Sequence, residues 1–141
     1  MLNDSASTEN YLEAIAALTD AKGYAQATAI AQALGVKMPS VTTALKALAR
    51  KGYVVYTTYQ PVRLTPEGLA VARAVMRRHE LLSHFLTDVL GLKPAHADTL
   101  ACRLEHVFDD VALKHLDAFM RTITAAKPKP ETKGKGRATT A

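Results

Sequence analysis

The 141-residue chain contains one cysteine, Cys102, and no tryptophan. A single thiol excludes an internal disulfide framework and any structural zinc site built from several cysteines. No stretch approaches the roughly 20 apolar residues that a membrane-spanning helix requires. Residues 1–7 are polar and have no apolar core, so they do not read as a secretion signal. These absences predict a cytoplasmic protein with no membrane partner. Aromatic residues are scarce, at 6%, yet apolar residues reach 48%. That fraction excludes a wholly disordered chain and suffices for one ordinary domain or two small lobes. Alanine supplies 25 of the apolar residues, and alanine is the best helix former, so the composition predicts a mainly α protein.

Acidic residues are in the minority, 13 against 18 Lys+Arg, for a net charge of +5. Residues 125–141 hold Lys127, Lys129, Lys133, Lys135 and Arg137 against Glu131 alone, which accounts for +4 of it. With Pro128, Pro130, Gly134 and Gly136 and no large apolar side chain, this segment cannot offset its ordering entropy and is predicted to be disordered. The folded body is nearly neutral, so an affinity for nucleic acid has to be sought in a local patch.

Apolar periodicity predicts a helix over 7–22, with Tyr11, Leu12, Ile15 and Leu18 inward and Gly23 as its stop. A short helix over 28–34 follows, with Thr28 as its cap, and then a third over 39–51 opened by Pro39. The β-branched and aromatic runs at 53–56 and 62–64 read as a hairpin. This order is that of a winged helix-turn-helix, with 39–51 as recognition helix and the hairpin as wing. The outward face of the third helix, Ser40, Thr43, Lys46 and Arg50, is polar and basic and carries no acid. Ser40, Thr43 and Lys46 are predicted DNA contacts that can reach phosphates and base edges, and Pro39 is predicted to meet a thymine methyl. Lys37, Thr42 and Arg50 are predicted phosphate contacts, with Arg63 on the wing as a further DNA-binding residue.

After the wing, Thr65 caps a helix that has Pro66 at its first position and runs to about residue 79. A second amphipathic stretch over 81–90 follows a bend. Another helix covers 95–108, with Leu100, Ala101, Leu104 and Val107 inward, and a last one starts at Asp109 and Asp110. These segments bury too little alone, which predicts pairing with a second copy as a homodimer. The helix near residue 100 places Cys102, Glu105 and His106 on one side, with Asp98 one turn earlier. Thiolate, carboxylate and imidazole together form a ligand set for a divalent transition metal. His79, and Asn10 with Glu13 on the first helix, are candidate ligands from other elements. Cys102 also leaves open a regulator that senses redox state, or one with a small organic effector. No phosphate-cradling glycine loop and no general base beyond these ligands is evident, so no enzyme is predicted.

The segments "ENYLEAI" at 9–15, "IAQALGV" at 30–36, "PSVTTALKALARKGYV" at 39–54, "RLTPEG" at 63–68, "RRHELL" at 77–82 and "ACRLEHV" at 101–107 resemble, in order and separation, the iron- and manganese-dependent repressors of the DtxR/MntR type. The resemblance implies a winged-helix DNA-binding domain over 1–72 and an all-helical dimerisation and metal-binding domain over 73–124, with the basic segment 125–141 outside both. It implies metal ligands at Asn10, Glu13, His79, Cys102, Glu105 and His106, at the junction of the two domains. Asn10 stands where iron-type members carry Met and manganese-type members Asp. Cys102 is the iron-type residue where manganese-type members carry Glu. The mixture leaves both Fe(II) and Mn(II) open. The implied function is metal-dependent repression: a loaded homodimer binds palindromic operators in double-stranded DNA and controls metal homeostasis. The SH3-like third domain of larger iron-type members is expected to be absent.

Overall fold

A computed structural model of the chain describes residues 5–126. The protein is mainly helical, and its contacts divide it into one compact unit ending at Val107 and another starting at Phe108. In the first unit, α1 (Ala6–Leu18), α2 (Ala27–Leu34) and α3 (Met38–Arg50) precede an antiparallel pair, β1 (Val54–Val55) and β2 (Arg63–Leu64). Then come α4 (Pro66–His84), a single π-helical turn over Phe85–Val89, and α5 (Pro94–Leu104). The register pairs Val54 with Leu64 and Val55 with Arg63. This is the winged helix-turn-helix the sequence predicts, followed by helices.

Leu12 and Ile15 of α1, Ile30 of α2, Val41 and Leu45 of α3 and Val62 beside the wing are fully buried together. They are the apolar stripes of three helices closed by the hairpin. Ala72 of α4 belongs to the same core, so α4 is anchored to the winged helix by packing. Two glycines permit this arrangement. Gly35 ends α2 in the left-handed region (φ 67°), which makes the sharp turn into α3. Gly68 lets α4 lie against the wing: a Cβ there would sit 2.0 Å from the Tyr53 carbonyl oxygen. Thr65 caps α4 as expected, its hydroxyl accepting from Gly68 N at 3.0 Å.

Several expectations are corrected. α1 ends at Leu18, not near residue 22. Thr19 turns extended, its hydroxyl donates to Ile15 O at 2.6 Å, and the Asp20 carboxylate accepts from the N–H groups of Lys22 and Tyr24. These local bonds replace the next helical turn. Thr28 does not cap α2; the N-cap is Gln26, with no side-chain bond. The second wing run is tied at Val62 to Ala25 by two backbone bonds of 2.8 Å, a pairing that the local pattern did not indicate. α4 does not break near residue 79 but runs to His84, and the irregularity is the π-helical turn that follows. α5 stops at Leu104, so Glu105 and His106 occupy its cap and the turn beyond. Val107 in that turn is 73% exposed, not inward.

In the second unit, α6 (Asp110–Ala126) is a single helix. Asp109 accepts from Ala112 N at 2.8 Å and so caps its start. The segment predicted to be disordered lies, from residue 127 onward, outside the described residues; residues 125 and 126 close α6. Among the described residues no helix is long and apolar enough to cross a membrane.

Candidate metal centre

Three pieces of chain converge at the C-terminal end of α5. α1 brings Glu9, Asn10 and Glu13, α4 brings Arg78 and His79, and α5 with its following turn brings Asp98, Cys102, Glu105 and His106. The His79 ring lies between two carboxylates: Nδ1 is 2.7 Å from Glu105 Oε1 and Nε2 is 2.6 Å from Asp98 Oδ1. Cys102 Sγ is 3.8 Å from His79 Nδ1. His79, Asp98 and Cys102 offer donor atoms within 4.8 Å of one another. On the other side of Glu105, His106 Nε2 is 2.9 Å from Asn10 Oδ1, and His106 Nδ1 is 2.7 Å from Glu9 Oε1. Glu105 joins the two groups, with Oε1 on His79 and Oε2 3.4 Å from His106 Nε2.

The electrostatics favour a cation. Glu105 is 1% exposed, and its Oε2 is buried without a hydrogen-bond partner, because the contact to His106 lacks bonding geometry. Burial, and then the charge of Glu13, push its carboxyl up to about 7, although His79 opposes the shift. Burial pulls the His79 imidazolium down, but hydrogen bonds and charge from Asp98 and Glu105 outweigh it, so its pKa is raised. Burial also raises the Cys102 thiol, helped by Glu105, Asp98 and Glu13. An orphaned buried carboxylate oxygen, with thiol, imidazole and further carboxylates around it, fits a divalent transition metal. Such an ion would relieve the repulsion that now holds protons on these groups. Cys102 is exposed, as a redox sensor would require, but its raised pKa depletes the reactive thiolate.

All six expected ligands, Asn10, Glu13, His79, Cys102, Glu105 and His106, thus come to one locality, and Asp98 joins them. Sequence reasoning missed Glu9 and Arg78. Glu9 is 8% exposed, and its Oε2 accepts from Arg78 at 2.7 Å. The available signal was its register: Glu9 stands in line with Leu12 and Ala16 on the buried side of α1. Breaking such a pair at one partner strands a charge, which costs about 3–5 kcal/mol.

The second expected surface is separate. Lys37, Pro39, Ser40, Thr43, Lys46 and Arg50 are exposed and Thr42 is half-buried. Thr43 donates its hydroxyl to Pro39 O at 3.0 Å. Arg63 is exposed, its guanidinium 5.8 Å from the centre of the Tyr24 ring, which holds it at the base of the wing.

Residues 4–62 match the family described as "Iron dependent repressor, N-terminal DNA binding domain", and residues 65–131 match "Iron dependent repressor, metal binding and dimerisation domain". The chain belongs to the iron-dependent repressor family. Within it, the chain is 33% identical over 138 residues to the HTH-type transcriptional regulator MntR of Listeria monocytogenes, covering 90% of this chain and 96% of that one. It is 32% identical over 117 residues to the diphtheria toxin repressor of Corynebacterium diphtheriae, covering 83% of this chain and 52% of the relative. A solved manganese-dependent transcriptional repressor in complex with manganese superposes with a TM-score of 0.68 at 30% identity, over 79% of this chain and 51% of that one. This family member therefore spans nearly all of the MntR relative but about half of the diphtheria toxin repressor and of that solved chain.

Proposed function

We propose that the protein is a metal-dependent, DNA-binding transcriptional repressor that controls iron or manganese homeostasis. The observation that carries this reading is the convergence of α1, α4 and α5 on Glu105 and His106. α1 is also a wall of the winged-helix core, through Leu12 and Ile15. A divalent ion held by Asn10, Glu13, His79, Cys102, Glu105 and His106 would join α1 to α4 and α5, with Asp98 as a further ligand beside His79. The ion supplies positive charge at a point where carboxylates repel. The residues themselves fix the attitude of α1, and with it that of α3.

The functional division is a DNA-binding domain over 1–72 and a dimerisation and metal-binding domain over 73–124, with 125–141 outside both. Dimerisation is supported by the family description and by Met76 and Leu90, apolar residues of the helical segments that are left 41% and 56% exposed. Two copies would present two α3 helices to successive major grooves, about 34 Å apart on a palindromic operator. Ser40 and Thr43, with Pro39, read base edges, and Lys46 reaches a phosphate from the same face. Lys37, Thr42, Arg50 and Arg63 meet phosphates. The protein acts on DNA in the cytoplasm as a regulator and not as an enzyme.

A gel-shift titration with Fe(II) and with Mn(II), each against chelator, tests the reading. DNA affinity is expected to rise with at least one ion and fall on chelation. An affinity indifferent to both ions overturns it.

A further inference from the structure

Glu9 is a carboxylate inside a cluster of candidate ligands, yet both of its oxygens are already engaged. Oε1 faces His106 Nδ1 at 2.7 Å, and Oε2 accepts from Arg78 at 2.7 Å. The side chains of Glu9, Arg78 and His106 are only 10%, 14% and 9% exposed, so solvent does not supply alternative partners. The other ring nitrogen, His106 Nε2, points to the side where Asn10 Oδ1 and Glu105 Oε2 lie. An imidazole that keeps its proton on the nitrogen facing a carboxylate is fixed in tautomer and orientation, and its remaining nitrogen becomes the better metal donor.

We propose that Glu9, held by Arg78, is a positioning residue that retains the His106 proton on Nδ1 and commits Nε2 to the metal. This rests on the metal-dependent reading above. It also gives α1 a tie to the site that does not depend on Asn10, whose neutral amide is a weak ligand. The tie spans three elements, α1, α4 and the turn after α5, and it passes through a charged and buried hydrogen bond.

Removing Glu9 alone would strand Arg78 and could unfold the protein, so paired variants are compared. Glu9→Leu with Arg78→Met removes the acceptor and both charges. Glu9→Gln with Arg78→Met removes the charges but keeps an oxygen that can accept from Nδ1. The measurements are Co(II) affinity by chelator competition, the Co(II) absorption spectrum, and the unfolding midpoint without metal. The Leu/Met pair is expected to lose about 10–100-fold in Co(II) affinity with an altered spectrum. The Gln/Met pair should stay close to wild type, at a similar metal-free midpoint. Equal Co(II) affinity and spectra for the two pairs overturn the proposal. In wild-type protein loaded with Zn(II), nitrogen-15 NMR of the histidines, with His106→Gln for assignment, should show a protonated Nδ1 and a metal-bound Nε2. Coordination through Nδ1 overturns the proposal even if neither pair folds. Failure of the wild type to bind Co(II) would instead overturn the metal-dependent reading itself.

Discussion

Glu105 carries the sharpest consequence at the scale of single residues. Its carboxyl, pushed up to about 7 by burial and by Glu13, shares a proton economy with a raised His79 and a raised Cys102. Metal binding requires these groups to lose their protons. The apparent affinity for Mn(II) or Fe(II) is therefore expected to climb as pH rises from about 6 to about 8, with protons released on binding. Calorimetry in buffers of different ionisation enthalpy checks this: an enthalpy independent of buffer would mean that no proton leaves. Cys102, Glu105 and His106 were legible as a ligand set because their spacing places them together on any helical path. Glu9 was not, because an acid on a buried stripe acquires meaning only when His106 and Arg78 arrive from distant parts of the chain. His106 also shows a limit of the spacing argument, since it sits in a turn beyond the end of α5 and reaches the site all the same.

Elements carry the next predictions. The exposed face of α3 presents Lys46 with no acid beside it on that face. Lys46→Ala should weaken DNA binding at all sequences and lower the salt slope by about one, measured by titration at several salt concentrations. Gly68 is where α4 passes Tyr53, the residue before β1, whose carbonyl a Cβ would meet at 2.0 Å. Gly68→Ala should destabilise the protein by about 1–3 kcal/mol or more, read by chemical denaturation. An unchanged midpoint would mean that α4 can move away from the wing freely. α3 was legible to within a residue, because Pro39, a stripe of Val41, Leu45 and Leu48, and Gly52 mark its course. The end of α1 was not, because Thr19 and Asp20 satisfy the backbone locally, ahead of the stop expected at Gly23. The continuation of α4 past His79 was hidden because the polar run Arg77, Arg78, His79 and Glu80 interrupts the apolar periodicity, whereas the π-helical turn comes only after His84.

At the scale of the whole molecule, the net charge of +5 divides unevenly, with +4 in residues 125–141. Removing that segment should lower non-specific DNA affinity and leave the response to metal intact, because the proposed ion joins only α1, α4 and α5. Gel shifts on operator and on random DNA, with and without Mn(II), separate the two effects. Loss of the metal response on truncation would assign the segment a role in the switch. A nearly neutral body suits a repressor of this kind, since charge alone then binds DNA weakly and the ion has an equilibrium to shift.

The sequence by itself determined the mainly helical class, the winged helix-turn-helix order, the basic face of α3 and the types of side chain offered to a metal. Each of these is set by local pattern: periodicity, capping and turn residues, and composition. That α1, a helix of the DNA-binding core, contributes to the proposed metal site was already implied by the resemblance, through Asn10 and Glu13; the arrangement within the site was left to the tertiary structure. It alone placed Glu105 between His79 and His106 and seated Glu9 and Arg78 behind His106. The physical reason is that burial and desolvation belong to the packed molecule. A carboxylate acquires its raised pKa, and a histidine its fixed orientation, from neighbours that lie far apart along the chain.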